Sequence, residues 1–252
     1  MIKRILYKKR GVMNMKMMKY FGMFILMGMM SAVMFAKTLY VGTNAEFAPF
    51  EYLEKGKITG FDIELMNALA KEMKMDIKIE NMAFDGLLPA LQMKKVDVVI
   101  AGMTETPERK KAVNFTKPYF KAKQVIITKK GKDIKDFQEL SGKKVGVMLG
   151  FTGDAVVSDI KGAKVQRFDA TYSAVMALEN GKVDAVVADS EPAKKYIASY
   201  KDLSIASAKA EEEDYAIAVR KNDKVLLENL NKAMEKVKAN GTYDALLKKY
   251  FK

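Results

Sequence analysis

The chain contains no cysteine and no histidine in its 252 residues. The first absence excludes disulfides, thiol nucleophiles and a lipidated N-terminal cysteine. The two together exclude Cys/His zinc sites and triads built on imidazole. A nucleophile elbow and a glycine-rich phosphate loop ending in lysine are also missing, so serine hydrolysis and nucleotide binding lack their usual carriers. No segment reads as catalytic, and neither a cofactor nor a metal site is expected.

Acidic residues are in deficit. There are 31 Asp and Glu against 44 Lys and Arg, a net charge of +13. A surplus of that size points at first to nucleic acid. Part of it lies in residues 1–36, which hold Lys3, Arg4, Lys8, Lys9, Arg10, Lys16 and Lys19 and no acid. Without those seven, 37 basic and 31 acidic residues remain, a net of +6. The remaining lysines form Lys-Lys pairs on expected helix faces, with no interleaved aromatics and no long basic run. Nucleic acid is therefore not an expected partner.

The basic start runs into an apolar stretch from Tyr20 to Ala36. Its length suits the apolar region of a signal peptide and is marginal for a spanning helix. Residues 1–36 are thus expected to be a signal peptide cleaved near Ala36, which sends the mature chain to the periplasm. An uncleaved N-terminal anchor is the alternative.

After the leader, strand patterns alternate with helix patterns. Thr38 to Gly42, Asp76 to Asn81, Val96 to Ala101, Lys144 to Met148 and Val183 to Ala188 read as strands. Phe61 to Met73, Phe84 to Met93, Thr152 to Ile160, Tyr172 to Asn180 and Glu191 to Tyr200 read as helices. This order predicts an α/β protein with mixed, mostly parallel sheets flanked by helices. Lys94-Lys95-Val96-Asp97-Val98-Val99 and Gly181-Lys182-Val183-Asp184-Ala185-Val186-Val187 occupy corresponding places in the two halves. The repetition suggests two lobes of similar topology, with the ligand cleft between the carboxyl ends of their strands.

Two segments read as jaws for a zwitterion. The first is Ala101, Gly102, Met103 and Thr104 followed by Glu105-Thr106-Pro107-Glu108-Arg109. Thr106 suits an N-cap and Pro107 a first helical position. Arg109 then lies in the first turn, where a cation opposes the helix dipole unless an anion offsets both. It reads either as a solvated surface arginine or as a clamp on a carboxylate. The second jaw is Leu149-Gly150-Phe151-Thr152-Gly153, a strand-to-helix turn whose N–H groups favour an anion or simply turn the chain. Asp189 ends a strand and reads as a helix cap or as a carboxylate that holds an ammonium group. Asn44, Glu46 and Phe47 leave the first strand in a loop, and Phe47 and Phe84 are either core or two walls around a side chain. The acidic run Glu211-Glu212-Glu213 reads as a solvated loop.

Taken together, Val41-Gly42-Thr43-Asn44, Gly60-Phe61-Asp62-Ile63, Asp85-Gly86-Leu87-Leu88-Pro89, Gly102-Met103-Thr104 with Thr106-Pro107-Glu108-Arg109, Asn114-Phe115-Thr116, Ala216-Ile217-Ala218-Val219-Arg220 and Asn240-Gly241-Thr242-Tyr243 resemble the bacterial extracellular solute-binding proteins of family 3. The resemblance covers residues 37–252. It implies a type II periplasmic binding protein: lobe 1 at 37–121 and 217–252, lobe 2 at 122–216, and two crossing hinge strands near Tyr119–Lys123 and Asp214–Ala216. It implies a monomer that binds a free L-amino acid such as glutamine, arginine or lysine and hands it to an ABC permease in the inner membrane. Arg109 would grip the α-carboxylate with N–H groups at Thr104 and at Thr152 or Gly153. Asp189, the Ala101 or Gly102 carbonyl and the Thr104 hydroxyl would hold the ammonium. Phe47 and Phe84 would flank the side chain, and Asn44 and Glu46 would reach its far end. Receptors for cationic amino acids often carry Asp where Asn44 stands, so the side-chain preference is open between polar and cationic. The alternatives are a cyclohexadienyl-acid dehydratase on the same fold, with Glu46 or Glu105 as general acid, and a ligand-sensing module.

Overall fold

The structure, a computed structural model, describes residues 37–210 and 212–251. The expected signal peptide and its cleavage point lie outside the described residues.

β1 (Thr38–Thr43) is followed by a small antiparallel meander of β2 (Glu46–Phe47), β3 (Glu51–Glu54) and β4 (Lys57–Thr59). Next come α1 (Phe61–Glu72), β5 (Asp76–Asn81), α2 (Phe84–Gln92), β6 (Val98–Val99), α3 (Pro107–Ala112) and β7 (Val113–Phe115). The long β8 (Phe120–Lys129) leads to β9 (Lys144–Met148), α4 (Thr152–Ser158), β10 (Lys164–Phe168), α5 (Thr171–Glu179), β11 (Ala185–Asp189), α6 (Ser190–Ser199) and β12 (Leu203–Ile205). β13 (Glu212–Tyr215), β14 (Ala218–Arg220), α7 (Lys224–Ala239) and α8 (Thr242–Phe251) end the described chain.

Two sheets result. The first runs β5-β1-β6-β14-β7 and the second β10-β9-β11-β8-β12. In each, the earliest strand of the repeat is flanked by two parallel neighbours: β1 by β5 and β6, β9 by β10 and β11. The remaining strands, β14 and β7 in the first sheet and β8 and β12 in the second, add through antiparallel pairs. The repeated Lys-Val-Asp pattern has one job in both halves. Asp97 accepts from the Tyr40 N–H at 3.1 Å and Asp184 from the Lys144 N–H at 2.8 Å. In return, the backbone N–H of each aspartate donates at 2.7 Å to the carbonyl of that same partner residue. Each aspartate thereby pins the third strand of its half to the start of the central one.

The Val96 to Ala101 strand is shorter than its apolar run suggests. Only Val98–Val99 form the ladder, although Ile100 still donates to the Gly42 carbonyl at 3.1 Å. Burial on both faces explains the unbroken apolar run of β11. Ala185 and Val187 pack with Val145, Val147 and Leu140 on one face, and Val186 and Ala188 pack with Ile127 and Leu178 on the other. Successive side chains point to opposite faces, so a strand buried twice has no polar alternation to show.

The sheets are linked by β8 and β13, which pair antiparallel from Phe120↔Tyr215 to Lys123↔Glu212. β8 then continues into the second sheet beside β11. An aromatic cluster packs around this crossing, with Phe50, Phe61, Phe120 and Phe251 at centroid spacings of 4.8–6.2 Å.

Candidate functional site

The site segments leave the carboxyl ends of β1, β6, β9 and β11, where open α/β sheets place their ligands. Thr106 caps α3, accepting from the Arg109 N–H at 3.2 Å, and Pro107 stands in the first turn as its sequence position requires. This cap directs the Arg109 side chain across the cleft. Its Nη1 donates to the Thr104 carbonyl at 2.8 Å, and its Nη2 donates to the Gly150 carbonyl, beyond β9, at 2.9 Å. The guanidinium also lies over the Phe84 ring, 5.2 Å from its centroid. Burial draws its pKa down, opposed by the charges of Glu213 and Asp189. Arg109 is thus a held, half-buried cation rather than a solvated one.

Asp189 stands at the N-cap position of α6 but makes no cap hydrogen bond. Its side chain is buried and turned into the cleft. There it accepts from Gln124 Nε2 at 2.9 Å and from the Tyr215 hydroxyl. Burial raises its pKa to about 7, with the Glu213 charge adding to the rise and the Tyr215 and Gln124 hydrogen bonds opposing it.

Glu213 corrects the sequence reading. Its neighbour Glu212 is exposed, but Glu213 points into the cleft, where one carboxylate oxygen gathers three donors. These are the Thr104 hydroxyl at 2.7 Å, the Thr152 hydroxyl at 2.8 Å and Gln124 Nε2 at 3.3 Å. Gln124 and Tyr215 were not singled out in the sequence either. All three lie on the crossing strands β8 and β13, and their period-two alternation is the one signal that separates Glu213 from Glu212.

The remaining expected residues divide as follows. Ala101, Gly102, Met103 and Thr104 are all buried, with Thr104 in an isolated bridge to Tyr215. Gly102 has φ 51°, and a Cβ there would stand 2.4 Å from Phe47 Cε1. The φ and the crowding both require glycine. Thr152 and Gly153 open α4, while Leu149 is exposed at the turn before it. Phe47 and Phe84 are buried, and both pack on Phe151, at 5.1 and 3.9 Å between centroids. Phe151 therefore completes the aromatic wall from the opposite sheet. Asn44 is buried and donates to the Met82 carbonyl at 2.9 Å, its Oδ1 without a partner among the described residues. Glu46 is exposed; on α6, burial pushes the half-buried Tyr196 phenol up to about 12, with the Glu46 charge adding to the rise. Glu105, the other acid weighed for catalysis, pairs with Lys110 at 3.1 Å.

One cation, two carboxylates and two hydroxyls thus meet where two sheets face each other, an arrangement that suits a small ligand charged at both ends. Residues 39–252 match the family model of the bacterial extracellular solute-binding proteins, family 3, and the chain belongs to that family. It is a solute receptor with the two-lobed type II periplasmic fold. It is 40% identical over 223 residues to a probable histidine-binding protein of Neisseria gonorrhoeae, covering 85% of this chain and 83% of that protein. To the arginine-binding extracellular protein ArtP of Bacillus subtilis it is 39% identical, over 85% of this chain and 86% of that one. Among solved structures, an ancestral arginine-binding protein bound to arginine superposes with a TM-score of 0.82 at 46% identity, covering 86% of this chain and 100% of the other.

Proposed function

We propose that this chain is an extracytoplasmic, monomeric receptor for a free L-amino acid with a cationic or polar side chain, arginine foremost, and that it serves an ABC permease. The observation that carries this reading is the facing of Arg109 by Asp189 and Glu213 across a cleft rimmed by the Thr104 and Thr152 hydroxyls. Two of Arg109's five N–H donors go to backbone carbonyls, which leaves the others for an α-carboxylate. The N–H groups of Thr104, Thr152 and Gly153 join it. The ammonium lies against Asp189, the Thr104 hydroxyl and the carbonyl of Ala101 or Gly102, with Glu213 as a second carboxylate. Phe47 and Phe84 flank the side chain, Phe151 closes the wall, and Asn44 and Glu46 meet the far end. Asp189, Glu213 and Glu46 together outweigh Arg109, which favours a ligand with a further positive charge. The names of the arginine- and histidine-binding relatives support the same class.

Residues 37–121 with 217–252 form one lobe and 122–216 the other. The ligand bridges them, because Arg109 and Asp189 pull on opposite ends of one zwitterion. The dehydratase alternative needs a general acid at the reacting centre. Glu46 lies exposed beside Tyr196 and Glu105 is engaged by Lys110, so neither is poised for it. Calorimetry on ligand-stripped protein with each common amino acid tests the reading. Saturable binding of arginine, or of lysine, histidine or glutamine, is the expected result. No heat from any amino acid overturns it.

A further inference from the structure

A second pair of carboxyl groups lies beneath the cleft and takes no part in the reading above. Glu51 on β3 and Asp62 in the first turn of α1 are both fully buried. The chain forces them together. The N–H groups of Phe61 and Asp62 donate to the carbonyls of Pro49 and Phe50 at 3.0 and 2.9 Å, laying the helix start against the strand that carries Glu51. Asp62 Oδ2 is well supplied, accepting from the Gly102 N–H at 2.8 Å and the Tyr119 hydroxyl at 2.7 Å. Among the described residues, none donates to Asp62 Oδ1 or to either oxygen of Glu51.

Two buried carboxylates facing each other without a donor would carry an uncompensated charge of the costliest kind. One proton resolves the arrangement. Burial raises the Asp62 pKa to about 6, but its place in a helix first turn and the two hydrogen bonds it accepts oppose that rise and favour its ionised form over that of Glu51. The proton therefore belongs to Glu51, whose O–H then donates to Asp62. Among the described residues, the titratable groups acting on the pair from neighbouring elements are Asp189, Tyr119 and Tyr243. None of them is a cation, so none stabilises a second negative charge. Burial, followed by the Asp62 charge, raises Glu51 well above its ordinary range.

What the pair holds makes it functional. Gly102 belongs to the segment that carries Thr104. Tyr119 stands immediately before β8, with its N–H donating to the Tyr215 carbonyl at 2.8 Å, and the Tyr215 hydroxyl donates to Asp189. We propose that Glu51 is a positioning residue: it remains protonated at neutral pH and, by donating to Asp62, sets both the Gly102 backbone under the ligand and the Tyr119 end of the crossing strands. The inference about binding rests on the amino-acid site proposed above.

The test compares the parent with Glu51→Gln, whose amide can donate as the carboxyl does, and with Glu51→Leu, which fills the space without a donor. The infrared difference spectrum of parent minus Glu51→Gln at neutral pH should contain the stretching band of a protonated carboxyl. Glu51→Gln should bind arginine within about threefold of the parent at neutral pH, and Glu51→Leu at least about tenfold more weakly. In alkaline buffer the parent should lose affinity and unfolding stability relative to Glu51→Gln, because a group whose folded pKa is raised loses its contribution as pH rises through that value. A missing carboxyl band, or superimposable pH profiles for parent and Glu51→Gln, overturns the proposal. Should the variants not fold, carbon NMR of the parent labelled at glutamate carboxyls reads the same proton, and a Glu51 signal already ionised at neutral pH overturns it equally. If the parent binds no amino acid, the site reading fails while the spectra and unfolding profiles still decide the proton.

Discussion

Replacing Arg109 by alanine removes a cation held by two backbone carbonyls, stacked on Phe84 and facing Asp189 and Glu213. A ligand carboxylate then enters a partly desolvated cleft with no counter-charge. Losing one member of such a pair costs about 3–5 kcal/mol. At about 1.4 kcal/mol per tenfold, arginine affinity should fall by roughly a hundredfold to several thousandfold. Arg109→Lys separates charge from geometry. It keeps the cation but loses the planar fork, hence at least one charge-assisted hydrogen bond worth about 1.5–3 kcal/mol, so roughly tenfold to a hundredfold in affinity. Isothermal calorimetry with arginine reads both variants, and urea unfolding of the ligand-free proteins verifies that each is folded. Because Nη2 also reaches Gly150 across the cleft, small-angle scattering of ligand-free Arg109→Ala should show a more extended particle than the parent. If Arg109→Ala binds arginine within a few-fold of the parent, the carboxylate is held elsewhere and the site as drawn is wrong.

Asp189, with a pKa of about 7, must be ionised to hold an ammonium group. Arginine affinity should therefore rise as pH increases through that value, and calorimetry in buffers of different ionisation enthalpy should detect proton release on binding near neutrality. Ligand-free stability should move the opposite way, present in acid and lost as pH rises toward about 7. Glu213→Gln should lessen that loss by removing the neighbouring negative charge. Phe151→Ala takes away the ring on which Phe47 and Phe84 pack, and arginine binding should weaken by at least about tenfold; unchanged affinity in calorimetry would refute its place in the wall. Gly102→Ala should lower unfolding free energy by more than about 1 kcal/mol in urea titrations, since its φ is positive and its Cβ would meet Phe47.

Much of this architecture is legible in the sequence because it is local. Thr106-Pro107 announces the start of α3, the apolar run of β11 announces a strand buried on both faces, and the repeated Lys-Val-Asp marks equivalent strands. The cation of the candidate site and the first of its carboxylates, Arg109 and Asp189, follow from their positions at an element start and a strand end. Glu213, Gln124 and Tyr215 do not, because their direction is set by the register of β8 against β13, with Glu213 opposite Ala122 and Tyr215 opposite Phe120. Partners separated by 89 residues, as Gln124 and Glu213 are, leave no mark on either local pattern. Three acids in a row look solvated until pairing turns one of them inward.

The strand order also dictates a sequence of assembly. The second sheet's run β10-β9-β11-β8-β12 is complete once residue 205 has appeared, and β13 joins β8 by residue 215. The first sheet has a gap between β6 and β7 that β14, at residues 218–220, must fill. A chain that emerges from its N-terminus therefore completes its later half first. Its earlier half waits with two open strand edges until the end of the chain arrives, and an open edge invites mispairing. The segment most exposed to that hazard carries Thr104 and Arg109, so the half of the cleft that would clamp the carboxylate is the last to be set.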